Sequence, residues 1–598
     1  MTVKRPHSLT GIPVSPGVAV GRAVLWVSRE DTSPRRTLEP EEIPAEIERF
    51  RRAAQAAVAE IEETARHVKE RLGSEYAGIF HAHALFLKDK AFVGPVERRI
   101  VHEAANAEWA VAQTTEDLVA RFRSLPDENL RDRAADLDDV SRVLRRHLGG
   151  EEQSRLRMSD LEGEAIVIVA DELAPSDAVR IPRDRVIAFV TERGGKTSHA
   201  AILARSFGLP AVVAVHGLLT AVGEGDRVIV DGRDGIVWRE PPEEIVALFR
   251  ERRDSEARRE VSLMERALSG PTYSAEGTPI AVRANIELRS EIQDVIGYGA
   301  DGVGLFRSEF LYLSKEGVEF PSEEEQAAVY REVVAGLAPR PVVIRTYDLG
   351  GKKGARHLVG AEEKNPVLGL RGVRLCFARP EMFTTQLRAL LSAASAGDLR
   401  ILVPMVSSVE EFRRVRELVK EAREDVLAKG IDVPDDIPIG AMIEVPSAAI
   451  TADLLAPETD FLSLGTNDLI QYTLAVDRAN DAVSNLFRAT HPAVLRLVAQ
   501  VAAAAHGARK PLAVCGEMAA DPALMLVFLG LGIREFSMGP RSVPVLKEFV
   551  RGVSLTEAAR IAKAALSLTT ADEVSSLLAQ ELRTLSSAEP GRSLEVPA

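Results

Sequence analysis

The segment DFLSLGTNDL, residues 460–469, shows the pattern that decides the fold of the second half of this chain. An apolar run typical of a buried strand ends in small and polar residues, and a helical stretch follows it. The same order recurs along the chain, with strands predicted at 280–286, 302–306, 341–347, 400–405, 438–443, 460–464, 511–515 and 534–538. Strands that alternate with helices in this way over roughly 300 residues indicate a (β/α)8 barrel of the TIM type.

Upstream of the predicted barrel, the sequence pattern changes from strand-like to helical and then back to strand-like. Residues 39–150 contain little glycine or proline, and apolar residues recur there at the three- to four-residue spacing of a helix. Short β-branched runs typical of buried strands flank this segment on both sides. We therefore predict a multidomain α/β protein in which an all-helical domain, 31–150, is inserted into an α/β domain formed by 1–30 and 151–240.

The remaining boundaries follow from charge and from glycine and proline. Residues 241–270 include a long charged stretch without glycine or proline, which predicts a linker helix. The barrel is expected to occupy 271–575, and residues 576–598 are expected to form a C-terminal tail.

Composition limits the class of protein. The 598 residues are 46% hydrophobic and 27% charged, as in a soluble globular protein. The net charge of -14 argues against a nucleic-acid-binding protein. Cys376 and Cys515 are the two cysteines, which excludes a disulfide scaffold and suits a reducing cytosol. Neither a secretory leader nor an apolar run of membrane-spanning length is visible, so we expect a cytoplasmic protein without membrane insertion.

The clearest chemical signal before the barrel is the segment GGKTSHAAILAR, residues 194–205. It follows a predicted strand and opens a predicted helix, so glycine backbone and the helix N-terminus favour an anion there. Thr197 and Ser198 add hydroxyl donors, and His199 lies where a phosphoryl group would be held. Because neutral imidazole is a good nucleophile, His199 is predicted to be functional.

A second signal is distributed over the barrel. Polar residues directly follow most of the predicted strands, at the end where TIM barrels place their active sites. They include Arg307, Arg345, Glu444, Asn467, Asp468 and Cys515.

The types of these residues specify a ligand. Glu444 and Asp468 are oxygen ligands suited to Mg²⁺. Arg307 and Arg345 suit bidentate binding of a phosphate, and Arg478 could hold a carboxylate from the flank. Zinc is not expected, because Cys515 has no Cys or His at ligand spacing. The residues predict an anionic, phosphorylated, metal-bound ligand.

Taken together, these segments resemble the phosphoenolpyruvate–protein phosphotransferase family, enzyme I of the bacterial sugar phosphotransferase system. The similarity runs from GIPVSPG, residues 11–17, to about residue 570. It implies a swivelling phosphohistidine domain, a helical domain that docks the carrier protein HPr, and a phosphoenolpyruvate-binding barrel that forms a homodimer.

The resemblance also implies a role for each site residue. His199 would be phosphorylated, and Cys515 would donate a proton. The remaining assignments are Arg307 and Arg345 for the substrate phosphate, Glu444 and Asp468 for Mg²⁺, Asn467 and Arg478 for other substrate contacts, and Arg371 for a further anion contact.

The sequence departs from the family in two places. The family usually has threonine where this chain has Ala178, which removes a hydroxyl that could orient the histidine. Lys88-Asp89-Lys90 interrupts a stretch of the helical domain that is usually more acidic, so carrier contacts there are expected to differ.

Two other functions remain open at this point. Pyruvate phosphate dikinases and phosphoenolpyruvate synthases share the histidine segment and the barrel, but they also need a nucleotide-binding domain of a few hundred residues. A regulator that senses phosphoenolpyruvate without turnover is the other alternative. Such a regulator would be expected to have lost His199 or Cys515, and this chain retains both.

Overall fold

The computed structural model describes most of the chain, which divides in sequence into two compact units between Arg258 and Arg259. The described residues are 8–26, 34–72, 80, 83–123, 128–149, 165–173, 185–195, 198–313, 320–350, 363, 365–478, 480 and 483–588. Each unit is treated by itself below. Ala178 lies outside the described residues.

The first unit contains an eight-stranded sheet in the order β1-β8-β7-β3-β4-β5-β6-β2. Its strands are Ser8–Thr10 (β1), Ile12–Ser15 (β2), Val18–Trp26 (β3), Ile166–Ala170 (β4), Val186–Thr191 (β5), Ala211–Val213 (β6), Arg227–Asp231 (β7) and Ile236–Arg239 (β8). Strands β3 to β6 run parallel, whereas β1, β2, β7 and β8 pair antiparallel with their neighbours. Because β3 and β4 are adjacent in the sheet, the helical segment between them in sequence is an insertion, as predicted.

Helices with their own core form the insertion. They include Ile43–Leu72, Lys90–His102, Ala107–Arg123 and Glu128–Gly149. Phe50, Phe92 and Leu144 are among the fully buried residues that these helices share. The second and third of these helices are separated by a short break. Ala104 adopts a positive φ of 44°, which ends one helix before the next begins.

The helices that accompany the sheet include His199–Phe207 and Leu218–Ala221. The predicted linker helix is present as Glu243–Leu268, and the boundary between the two units falls within it. Of the helices in the described residues, none combines the length and the apolarity that a membrane crossing requires.

The second unit is a closed barrel of eight parallel strands. They are Pro279–Ile286 (β10), Val303–Arg307 (β11), Val342–Arg345 (β12), Leu399–Val403 (β13), Ile439–Ile443 (β14), Phe461–Gly465 (β15), Leu512–Cys515 (β16) and Glu535–Met538 (β17), and Thr272–Tyr273 (β9) pairs antiparallel with β10. Closure is complete because β10 pairs with both β11 and β17. Every predicted barrel strand agrees with an observed one to within two residues at each end, so the fold class is confirmed.

Helices surround the barrel, as the alternating pattern predicts. They include Ile292–Gly297, Glu309–Leu313, Glu323–Leu337, Val373–Ala378, Pro380–Ala393, Val409–Ala428, Pro446–Ile450, Ala452–Leu455, Thr466–Leu474, Pro492–Gly507, Pro522–Gly530, Val543–Arg551 and Leu555–Ser567. Strands such as β14 and β15 are buried along their whole length, because side chains on one face meet the helices and those on the other fill the barrel. The barrel interior contains Leu305, Val343, Leu402, Met442, Phe461 and Cys515.

The predicted tail at 576–598 is wrong as far as residue 588. A helix, Ala571–Ala588, occupies this part of the chain, and residues 589–598 lie outside the description. Val574 and Leu578 are buried in the barrel unit, as one apolar face of this helix. Its start is a capping box, in which the Thr570 hydroxyl accepts from the Glu573 N–H and the Glu573 carboxylate accepts from Thr570 N–H.

Candidate active site at the carboxyl ends of the barrel strands

Arg345 lies at the carboxyl end of β12 and is almost fully buried. Its guanidinium pairs with Glu309 and lies 3.2 Å from Asp348 Oδ2. Burial alone would lower the pKa of Arg345, but the neighbouring Glu309 and Asp348 outweigh burial and raise the pKa, so the residue stays charged. Its Nε is buried and has no hydrogen-bond partner among the described residues.

Arg307 is the neighbour of Arg345 in the barrel. It ends β11, and the two arginines are directly paired in the strand register. The Arg307 guanidinium forms an ion pair with Glu287, and both side chains are about one-third exposed. The structure therefore brings together the two arginines that the sequence assigns to a phosphate.

Arg371 connects three rim segments. Its Nη2 lies 2.9 Å from Asp348 Oδ2 and 3.2 Å from Asp468 Oδ2. Its Nη1 donates to Tyr472 Oη at 3.0 Å. These contacts place Arg371 within the rim cluster, although the sequence gives it only as a further anion contact by resemblance.

Glu444 follows β14 and is buried. Its Oε1 accepts a hydrogen bond from the Met405 N–H at 2.7 Å. Burial, together with the nearby Asp468 and Asp348, raises the pKa of Glu444 to about 8, although Arg345 and Arg371 act in the opposite direction. The two arginines therefore offset only part of the effect of burial and of the neighbouring carboxylates.

A glycine makes room for this carboxylate. A Cβ added at Gly465 would lie 2.6 Å from Glu444 Oε2, so a larger residue there would displace the Glu444 side chain. Asn467 and Asp468 follow Gly465 in the first turn of the helix Thr466–Leu474. Asn467 Nδ2 donates to Glu517 Oε1 at 3.1 Å, which links the ends of β15 and β16.

Cys515 is the last residue of β16 and lies opposite Gly465 in the strand register. Its Sγ lies 3.0 Å from Ser463 Oγ and 3.4 Å from the Leu464 carbonyl oxygen. Burial raises the pKa of Cys515 to about 11, and the hydrogen bond from Ser463 offsets only part of this. The side chain is therefore a protonated thiol near neutral pH.

Arg478 is placed differently from the other predicted residues. It is exposed, after the helix Thr466–Leu474, and its backbone N–H donates to Gln471 Oε1 at 3.3 Å. Within the described ranges, its side chain takes no part in the ion pairs of the rim.

His199 is the first residue of the helix His199–Phe207, after strand β5 and a glycine turn. Ser198 caps this helix, because its Oγ accepts from the Ala201 N–H. Gly194 has a φ of +116°, and a Cβ there would lie 3.1 Å from Ser198 Oγ. The predicted strand–turn–helix setting is present, whereas Lys196, Thr197 and the His199 side chain lie outside the description.

The departure at Lys88-Asp89-Lys90 has a local structural role. Asp89 is the N-cap of the helix Lys90–His102 and accepts from the Ala91 N–H at 2.8 Å. Lys88 is exposed and its Nζ lies 2.7 Å from Glu62 Oε1.

Several rim residues were absent from the predicted site. Asp348 directly follows a predicted strand and Glu309 lies three residues after another, so the strand-end position was a usable signal for both. Tyr472 and Ser463 lie inside regular elements, and only the three-dimensional packing brings them to Arg371 and Cys515.

Three protein-family models match this chain. The chain matches the models for the PEP-utilising enzyme N-terminal domain over residues 10–133, the PEP-utilising enzyme mobile domain over 162–235 and the PEP-utilising enzyme PEP-binding domain over 262–555. The chain is therefore a member of the phosphoenolpyruvate-utilising enzymes.

The similar proteins identify one family within the phosphoenolpyruvate-utilising enzymes. The chain is 40% identical over 576 residues to the phosphoenolpyruvate-protein phosphotransferase of Geobacillus stearothermophilus, covering 96% of this chain and 98% of that protein. The same-named protein of Bacillus sp. (strain S) is 39% identical with the same coverage. That of Listeria monocytogenes serovar 1/2a is 40% identical over 95% of this chain and 98% of the relative. The chain belongs to the phosphoenolpyruvate-protein phosphotransferase family, which confirms the resemblance read from the sequence.

Proposed function

We propose that this chain transfers the phosphoryl group of phosphoenolpyruvate to His199 and then to a histidine of the carrier protein HPr, with release of pyruvate. The observation that carries the proposal is the rim cluster, in which Arg345 and Arg371 pair with Asp348 and Asp468 beside the buried Glu444. Such a concentration of charge at the carboxyl ends of barrel strands suits a small, highly charged substrate.

The phosphate of the substrate would be bound by Arg307 and Arg345. Guanidinium groups bind phosphate oxygens in a bidentate manner, and two adjacent strand ends present them side by side. The buried Nε of Arg345, which has no partner in the described part of the chain, is a donor available to an anion.

Glu444 and Asp468 would hold Mg²⁺. Within the described residues no cluster of three or more His, Cys, Asp or Glu side chains could hold a metal by itself. Two carboxylates nevertheless fit Mg²⁺, because this ion commonly takes one or two protein carboxylates and completes its shell with substrate oxygens and water. When bound, it would neutralise charge on the phosphate. The raised pKa of Glu444 is consistent with a carboxylate site that favours a nearby cation.

In the transfer itself, a ring nitrogen of His199 would form the N–P bond as the bond between phosphorus and the enol oxygen breaks. The electron pair of that bond leaves an enolate. The Cys515 thiol would then donate its proton to the terminal carbon, which gives pyruvate, and the resulting thiolate would recover a proton from water. Asn467 and Arg478 are proposed as additional substrate contacts, the latter on the resemblance alone.

The remaining expectations rest on the resemblance. We propose that the helical segment 31–150 docks HPr, that the barrel forms a homodimer and that the protein acts in the cytoplasm. The exposed Lys88 would make the charge of the docking surface less acidic at that point.

The test is a transfer assay with phosphoenolpyruvate labelled in its phosphate. The proposal predicts that the chain becomes labelled, that added HPr removes the label, and that pyruvate appears in equal amount. A chain labelled only from ATP would indicate a dikinase-like reaction instead. Binding of phosphoenolpyruvate without any labelling would indicate a sensor without turnover.

A further inference from the structure

A fully buried glutamine contacts both strand ends that carry the arginine pair. Gln386 belongs to the helix Pro380–Ala393, whose other buried positions are mostly apolar, among them Phe383, Leu387 and Leu390. A buried amide is unfavourable unless its polar atoms are bonded. A polar side chain at this position therefore needs a specific set of partners.

The partners of Gln386 use both of its amide hydrogens and its oxygen. Oε1 accepts from the Tyr347 N–H at 3.0 Å, and Nε2 donates to Ser308 Oγ at 2.9 Å and to Tyr330 Oη at 3.1 Å. If the amide were reversed, its NH2 group would face the Tyr347 N–H, donor against donor. The network thus defines a single orientation of the side chain.

Ser308 connects Gln386 to the segments that contain the two arginines. It lies between Arg307 and Glu309 in the sequence, is fully buried, and donates its hydroxyl to the Arg345 carbonyl oxygen at 2.6 Å. One amide therefore holds the segment after β11 through Ser308, and the segment after β12 through Tyr347. The ion pair between Glu309 and Arg345 spans the same two segments.

We propose that Gln386 is a positioning residue for the phosphate site, because it fixes the separation of the two strand ends that present Arg307 and Arg345. This inference rests on the proposed role of these arginines. A bidentate contact depends on the position of both nitrogens, so a small shift of one segment relative to the other weakens substrate binding.

A second branch of the same network leads away from the strand ends. Tyr330 Oη donates to Gln326 Oε1 at 3.3 Å, and Gln326 Nε2 donates to the Pro321 carbonyl oxygen at 2.8 Å. Tyr330 and Gln326 are as deeply buried as Gln386. Gln326 offers a matched control, since its loss removes buried hydrogen bonds and leaves those between Gln386 and the Ser308 and Tyr347 segments in place.

The experiment measures KM and kcat for phosphoenolpyruvate, together with the thermal midpoint of each variant. Gln386→Met keeps the length of the side chain and loses its three hydrogen bonds. The milder Ser308→Ala removes only the hydroxyl that connects Gln386 to the Arg345 carbonyl oxygen. Both variants are expected to raise KM about tenfold or more. The double variant is expected to raise KM no more than the single variant with the larger effect, because both changes act on the same contact. Gln326→Met is expected to leave KM within about twofold, even if its thermal midpoint falls as far as that of Gln386→Met.

An unchanged KM in a folded Gln386→Met and in Ser308→Ala would overturn the inference, as would an equal rise of KM in the control variant Gln326→Met. Arg345→Lys separates this failure from failure of the proposed function. If Arg345→Lys raises KM while Gln386→Met and Ser308→Ala do not, only the positioning role is wrong. If Arg345→Lys leaves KM unchanged, the phosphate-binding role of Arg345 is wrong as well.

Discussion

Replacement of Cys515 by alanine is expected to slow the formation of pyruvate about 10²–10⁴-fold, which is the usual contribution of a positioned general acid. The reason is that the enolate left by phosphoryl loss needs a proton. Arginine is too weak an acid for this, and a carboxylate that binds a metal is ionised. Cys515 is a thiol with a pKa of about 11, at the end of β16 and at the same rim as Glu444.

The structure also limits what else the replacement can change. With a pKa of about 11, roughly one thiol in 10⁴ is ionised near pH 7, so almost every molecule has the proton available. Removal of one buried sulfur atom is expected to cost on the order of 1 kcal/mol of stability, which leaves the barrel folded. The affinity for phosphoenolpyruvate should change less than about threefold, because the arginines and carboxylates remain.

Rapid-quench measurements of pyruvate and of phosphohistidine, together with calorimetry of substrate binding, provide the assay. Cys376→Ala is the matched control. Cys376 is also a fully buried cysteine of the barrel unit, but it lies in the helix Val373–Ala378 and not at a strand end. Its loss should leave the rate of pyruvate formation close to that of the unmodified protein.

A Cys515→Ala variant that forms pyruvate at a near-normal rate would refute this reasoning. The proton would then come from another donor, such as a water molecule. A loss of substrate binding equal to the loss of rate would also contradict it, since the residue would then act in binding.

Three further predictions concern the rim. Asp468→Ala should abolish the Mg²⁺ dependence of phosphoenolpyruvate binding in calorimetry, whereas alanine at the exposed Asp453 should not. Gly465→Ala should weaken substrate binding about tenfold, because its Cβ would lie 2.6 Å from Glu444 Oε2, and unchanged binding would show that the carboxylate position is not critical. Arg345→Met should lower the free energy of unfolding, measured by urea denaturation, by about 3–5 kcal/mol near pH 7, because the buried carboxylates of Glu309 and Asp348 each lose an ion pair, and an unchanged value would contradict this.

Much of the candidate site follows from the sequence because it lies at strand ends. In a barrel of parallel strands, residues that directly follow the apolar runs share one rim, which is why Arg345, Glu444 and Asp468 could be placed together. Arg371 has no such signal, since it precedes a short helix, and its contacts with Asp348 and Asp468 depend on the packing of that loop.

Other features could not be predicted from local patterns. Gln386 occupies a helix position that periodicity assigns to the core, and its partners come from two strands distant in sequence. The helix that replaces the predicted tail has an apolar period and a capping box, but the nearby Glu589-Pro590-Gly591 favoured a loose end.

The measurement that tests the account most directly is the location of the phosphoryl group after reaction with labelled phosphoenolpyruvate. The account predicts acid-labile, base-stable label on the peptide that contains His199, in equal amount to the pyruvate formed, and none in a folded His199→Ala variant. Label on any other residue, or label of equal amount in His199→Ala, would contradict the central claim.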